Sequence, residues 1–198
     1  MSLLARLRPT TYLIFVFALL LGTAGCFKTW TVIKQSGPPS ALQGQTQMAV
    51  QFDTSNIRIG KDEQMSEQQW LESREKDEHR ANYTESVAEA NRMFMEGMRK
   101  KANGVVQFTE GQAEAGQIQM TVSWVFWQEG MYAAVVSWPS EATARVIFTR
   151  DGEVLDEIEV ATKENAELTN ADPRARFRTI GKRLGGFTWN FLNSVNNG

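Results

Sequence analysis

The sequence predicts an α+β fold: a two-layer sandwich in which a long first helix and a C-terminal amphipathic helix cover one face of a mostly antiparallel sheet. Three observations carry this. Ile118, Met120, Val122, Trp124 and Phe126 recur at period two, the mark of a strand with one face buried. Residues 142–149 and 154–160 alternate in the same way around Asp151-Gly152, a pair that tolerates the positive φ angles of a primed hairpin turn. Helical spacing of apolar residues occurs before and after this block of strands but not within it. Helices segregated from strands in this way lead to two layers.

Taken in order, the chain divides into residues 1–25, 26–45 and 46–198. The middle segment contains Gln35-Ser36-Gly37-Pro38-Pro39-Ser40 and Gln43-Gly44-Gln45, a composition that buries little and reads as a flexible tether. Trp30, Val32 and Ile33 interrupt it and leave two readings open. They form a short strand on the domain edge, or they rest in a bilayer interface, where tryptophan is at home. Met48, Val50 and Phe52 then alternate as a strand.

A helical stretch follows over about 66–102. From Arg80 onward Tyr83 or Thr84, Val87, Ala88, Asn91, Phe94, Met95, Met98 and Ala102 make a core-facing stripe. From Glu67 to Arg80 only Trp70 and Leu71 are apolar, so this half is expected to project into solvent or to meet a partner. Asn103-Gly104 stops the helix, and Val105–Phe108 begins the sheet block. Asp172 caps the last helix with Pro173 at its first position. Phe177, Ile180, Leu184, Phe187, Phe191, Leu192 and Val195 form its apolar stripe. Gly185-Gly186 in mid-helix points to a close backbone approach, expected against the sheet.

The N-terminus carries an address. Arg6 and Arg8 precede an apolar run from Tyr12 to Leu21, and Leu21-Gly22-Thr23-Ala24-Gly25 leads to Cys26, the one cysteine in the chain. The apolar run has the length of a signal-peptide core and is too short to span a bilayer. In the lipoprotein reading the Cys26 thiol receives a diacylglycerol group and cleavage leaves it as the acylated N-terminus. Each buried methylene then contributes about 0.8 kcal/mol to anchoring. An ordinary cleaved signal is the alternative, since Thr23-Ala24-Gly25 also suits a general signal peptidase. Phe27 stands where an inner-membrane retention signal would place aspartate, so the expected location is the outer membrane, facing the periplasm.

Without residues 1–25 the chain keeps 21 − 2 = 19 basic against 23 acidic residues, a net charge near −4. Such a domain offers no field for nucleic acid. A search for chemistry yields little. His79 is the sole histidine and sits among charges, the setting of a solvated side chain and not of a base or metal ligand. Asp156, Glu157 and Glu159 are near enough in sequence to keep a hydrolase reading on the table, but no residue demands it. No catalytic residue, metal or cofactor is assigned. The expectation is a protein that is not an enzyme.

The richer surface lies in residues 124–140, where Trp124, Phe126, Trp127, Met131, Tyr132 and Trp138 crowd around Gly130 and Pro139. Tryptophan, tyrosine and methionine are enriched at interfaces, although most aromatic rings are internal. Trp70, Leu71, Trp127, Met131, Tyr132 and Trp138 are the candidate partner or ligand residues, with Cys26 as the lipidation site.

Asp151-Gly152-Glu153-Val154-Leu155-Asp156-Glu157-Ile158-Glu159, and Gly130-Met131-Tyr132-Ala133 with Trp138-Pro139-Ser140, resemble stretches of bacterial envelope lipoproteins of unknown function. The layout is also similar to the periplasmic domains of curli-type secretion lipoproteins and peptidoglycan-synthase activators. That resemblance implies a docking module in envelope assembly and transfers no catalytic residues. Two functions follow as expectations: an outer-membrane lipoprotein that binds a protein partner, with oligomerisation open, or one that binds peptidoglycan, another glycan or a small apolar ligand.

Overall fold

The structure is a computed structural model that describes residues 29–133 and 136–196; the signal segment and Cys26 lie outside the described residues. Among the described residues ten strands and three α-helices follow one another: β1 (Thr31–Lys34), β2 (Gln47–Asp53), β3 (Arg58–Ile59), β4 (Met65–Ser66), α1 (Glu67–Glu72), α2 (Asp77–Ala102), β5 (Gln107–Glu110), β6 (Ile118–Gln128), β7 (Met131–Ala133), β8 (Val136–Trp138), β9 (Ser140–Arg150), β10 (Glu153–Glu164) and α3 (Pro173–Asn196). The main sheet runs β1-β10-β9-β6-β2-β5, with β3 beside β6 and β4 beside β3. This is the α+β two-layer arrangement expected, with one refinement. β1, β10, β9 and β6 pair antiparallel, whereas β2 lies parallel to both β5 and β6.

Local chemistry explains the element boundaries. Asp151 and Gly152 both take positive φ, 50° and 84°, as a primed turn between long twisted strands requires. Asn103 closes α2 in the left-handed conformation at φ 47°. The stretch expected as one helix from 66 to 102 is two. Ser66 and Gln69 cap α1 reciprocally, and the chain leaves the helix at Ser73 before α2 begins at Asp77. The polar half is therefore neither a projecting helix nor an unsupported one: Trp70 pins it to the core.

The inner sheet face supplies Met48, Val50, Met120, Val122, Trp124, Val146, Phe148 and Ile158 to a core completed by both long helices. Asn91 sits on the core side of α2 because its side-chain oxygen accepts from the Trp124 indole at 2.8 Å. On the outer face Arg145 lies 3.3 Å from Glu157 and 3.9 Å from Glu159.

Residues 29–45, where composition suggests a tether, are laid on the domain. The strand alternative holds for its start, since β1 pairs with β10 from Thr31 opposite Glu159 to Lys34 opposite Glu157. Beyond it the carboxylate of Asp156, itself fully buried, accepts from Ser36 N at 2.6 Å, Ser36 Oγ at 2.8 Å and Ser40 Oγ at 2.5 Å. Leu42 is buried in the core and Gly44 N donates to Asn196 Oδ1. Glycine and proline gave this strap few apolar groups, and one carboxylate on the sheet replaces them. Replacing Asp156 with Ala leaves three donors without their acceptor, and with Ser40 buried and Ser36 open to water the cost is about 2 kcal/mol. Limited proteolysis should then cut within residues 35–45 while the remaining domain resists.

The two long helices touch backbone to backbone. A Cβ on Gly181 would lie 2.3 Å from the Ala90 carbonyl oxygen, one on Gly185 2.1 Å from that of Phe94, and one on Gly97 2.3 Å from that of Lys182. The close approach signalled by Gly185 is thus to α2 and not, as expected, to the sheet: a helix crossing this tight leaves no room for even one methyl. Glu89 crosses the seam above it, 2.6 Å from Arg178 and 2.8 Å from Arg92. The hydrogen bond from Arg92, reinforced by Arg178 against the effect of burial, holds its carboxyl down to about 2. A carboxyl lowered from an ordinary 4.5 contributes stability that is complete above that value and is lost as pH falls from 4.5 toward 2. Both arginines are more than half exposed, so the contribution is about 1 kcal/mol or less. Glu89→Gln should lower Tm by a few degrees at neutral pH and flatten the acid limb of a Tm-against-pH curve.

Candidate functional site

Strands β6 and β9 do not end with the sheet. Past Gln128 and before Ser140 the same ribbon continues as the two-stranded hairpin β7–β8, which stands outside the main sheet. Gly130 makes the step possible. Its φ is +67°, and a Cβ there would sit 2.5 Å from the Pro139 carbonyl, so the two sides cross at a spacing only glycine allows.

A buried arginine braces the base of this ribbon. Arg176, on the first turns of α3 and 1% exposed, donates through Nε to Ser140 Oγ at 2.6 Å and through Nη2 to the Glu129 carbonyl at 3.0 Å. Its Nη1 donates to the carbonyls of Asn170 at 2.8 Å and Ala171 at 2.6 Å. Ser140 Oγ in turn donates to the Glu129 carbonyl. Burial lowers the Arg176 pKa, opposed by Asp172 and Glu129. Burial also raises the Glu129 carboxyl, which Arg74 and Arg176 only partly offset.

Register fixes what the hairpin shows. Met131 faces Trp138, Tyr132 faces Ser137 and Ala133 faces Val136. Alternation therefore puts Met131, Ala133, Val136 and Trp138 on one side and Tyr132 with Ser137 on the other. Ser137 Oγ donates to the Ala166 carbonyl, which ties the second side to the domain, with Tyr132 half-buried and Ser137 exposed. The first is open: Trp138 is 58% exposed, Val136 42% and Met131 41%. Beside Trp138 an open cleft of about 340 Å³ is lined by Lys61, Asp62, Gln128, Trp138, Pro139 and Glu141.

The other candidate residues belong elsewhere. Trp127 is fully buried, stacked on Phe177 at 3.7 Å and edge-on to Trp124 at 5.5 Å. It is a core residue and not part of a partner surface, because its strand position points at the helices. Trp70 is 4% exposed, 4.9 Å from the Tyr83 ring and capped by the Arg74 guanidinium at 4.5 Å. It too holds the fold, with Leu71 half-buried beside it. Tyr83 Oη donates to Glu67 Oε1 at 2.9 Å, and Thr54 Oγ1 donates to Glu67 Oε2 at 2.9 Å. Burial and then the Glu67 charge push the Tyr83 pKa far up, so the phenol stays a donor. His79 is exposed at the start of α2. Asp156 is committed to the strap, and Glu157 and Glu159 face Arg145, so the three carboxylates form no shared site. Among the described residues no three histidine, cysteine or carboxylate side chains converge as a metal site.

Sequence reasoning missed Val136, Arg176 and the strap serines. Gly130 and Pro139, with eight uncharged residues between them, were the signal that a separate hairpin interrupts the sheet. An arginine in the first turn of an amphipathic helix carries no such mark.

The fold and site define a class: an α+β domain with a strapped N-terminal segment and a projecting apolar hairpin. No family model matches the chain and no curated protein matches it. Among solved structures it is similar to the PelC dodecamer from Paraburkholderia phytofirmans, at 12% identity over 82% of this chain and 96% of that one, with a TM-score of 0.39. It is also similar to protein XCC0632 from Xanthomonas campestris, a DUF330 protein, at 10% identity over 83% and 93% of the two chains, with a TM-score of 0.43. These structural neighbours are bacterial proteins.

Proposed function

We propose that this chain is a lipid-anchored, non-catalytic docking module of the bacterial envelope, carried by Cys26 on the periplasmic face of the outer membrane and engaging its partner through the hairpin β7–β8. The observation that supports this most directly is the open face of Met131, Val136 and Trp138. Large apolar side chains gathered on a projecting element mark interaction surfaces. The test is photocrosslinking from position 138 in intact cells, with mass determination of the mature N-terminus. An acylated Cys26 and a discrete adduct that disappears when the crosslinker is moved to exposed Glu153 are expected; an unmodified N-terminus with no adduct sinks the reading.

A second reading has its own observation. The Trp138 ring stands beside Gln128, Asp62 and Glu141, a platform with hydrogen-bonding groups that suits a saccharide. Co-sedimentation with purified peptidoglycan, lost in both Trp138→Ala and Gln128→Ala, would favour it over a docking role.

A further inference from the structure

The strap limits where a lipid on Cys26 would stand relative to the domain. β1 runs antiparallel to β10, with Thr31 level with Glu159. Going back along β1 therefore leads toward Glu164, which pairs with Ser140 at the end of the sheet from which the hairpin projects. From Glu159 to Glu164 is about 16 Å of strand at ~3.3 Å per residue. From Thr31 back to Cys26 is also five residues, a reach of at most about 18 Å when fully extended. The strap from Thr31 to Gln45 is held by the β10 ladder, Asp156, Leu42 and Asn196, so it contributes no further length. Cys26 therefore lies within about 18 Å of Thr31, a span that covers the distance to the hairpin end of the sheet.

At that end the chain offers the chemistry of a lipid interface. Residues 130–140 contain no Asp, Glu, Lys or Arg, and the open face of the hairpin consists of Met131, Ala133, Val136 and Trp138. Tryptophan prefers the headgroup boundary, and a shallow apolar face beside a lipid anchor adds a second membrane contact to the first. We propose that the outward face of β7–β8 seats in the headgroup region of the bilayer that carries the Cys26 lipid, fixing the domain's orientation. This rests on the docking reading above and names the bilayer as the occupant of that face.

The experiment uses the full lipidated chain in vesicles of phosphatidylethanolamine and phosphatidylglycerol, with and without brominated acyl chains. Bromine quenches nearby indoles, and comparison with Trp138→Phe isolates the contribution of Trp138 from the other five tryptophans. The expected result is quenching in the wild type that falls several-fold in Trp138→Phe, with unchanged Tm, because the side chain is outside the core. Equal quenching in the two proteins overturns the proposal. The crosslinker at position 138 separates the two failures: a protein adduct in place of a lipid adduct overturns the bilayer assignment and keeps the docking role, whereas no adduct of either kind removes both.

Discussion

Gly185→Ala should be the most damaging single methyl group in this protein. The added carbon falls 2.1 Å from the Phe94 carbonyl oxygen, an atom fixed in the backbone of α2, so relief requires the two helices to part along a seam that also includes Gly181 and Gly97. Overpacking of a rigid core costs about 1–3 kcal/mol and sometimes more. Alanine's advantage over glycine within a helix returns only about 1 kcal/mol. A contact this short against fixed backbone belongs at the upper end of that range, so the expected net loss is about 2 kcal/mol, read as a lower midpoint in denaturant unfolding. Gly186→Ala is the control one residue along. There the new carbon meets Lys101 Cε at 3.2 Å, the end of a flexible chain that can swing aside. The same helix propensity then shows through, and stability should hold or rise by up to about 1 kcal/mol. Equal destabilisation by both substitutions would falsify the packed-seam account.

Arg176→Met is the second large effect, and it connects stability to the proposed surface. Methionine fills much of the arginine's volume but takes the arginine donor from the carbonyls of Asn170 and Ala171 and the hydroxyl of Ser140, and leaves the Glu129 carbonyl with Ser140 Oγ alone. At roughly 1–3 kcal/mol for each orphaned buried group, and with Asn170 and Ala171 able to recruit water because they are not buried, the expected cost is about 3 kcal/mol. Arg176→Lys should not restore it, since a point charge on a single stem cannot span four acceptors in a fixed fork. Hydrogen exchange distinguishes this from general weakening. Amides in 128–140 should lose protection more than those in the middle of β9 and β10, because Arg176 ties the ribbon where it leaves the sheet.

Much of this architecture was legible in the sequence, and what was not has physical reasons. The Asp151-Gly152 turn, the alternation of β6 from Ile118 to Trp124, the αL stop at Asn103 and the Phe177-to-Val195 stripe are local signals, and each sits where its own chemistry requires; past Trp124 a bulge takes Phe126, expected on the buried face, off it and puts Trp127 there. The parallel placement of β2 is not local: nothing in Met48-Ala49-Val50 tells which distant strands will flank it. The strap escaped because its attachments are distant in sequence: Asp156 is 116 residues from Ser40 and Asn196 is 152 from Gly44. At the candidate site, composition located Met131 and Trp138 but also drew in Trp70 and Trp127. Aromatic content reports a large apolar area without saying which side of the pleat it occupies, and Trp127 differs from Trp138 only in facing the helices.

The parallel seat of β2 between β5 and β6 sets the order in which the molecule can be made. β2 is synthesised early, yet its neighbours lie at 107–110 and 118–123, so Gln47–Asp53 leaves the ribosome with no strand to pair with. The antiparallel ribbon of β6, β9 and β10 closes through nearer contacts, and long-range parallel pairing is slow by comparison. Any machinery that moves this chain from its N-terminus onward therefore handles an open, unpaired front half. The same delay exposes Met48, Val50 and Phe52 until the back half arrives, the interval in which a chaperone has most to protect.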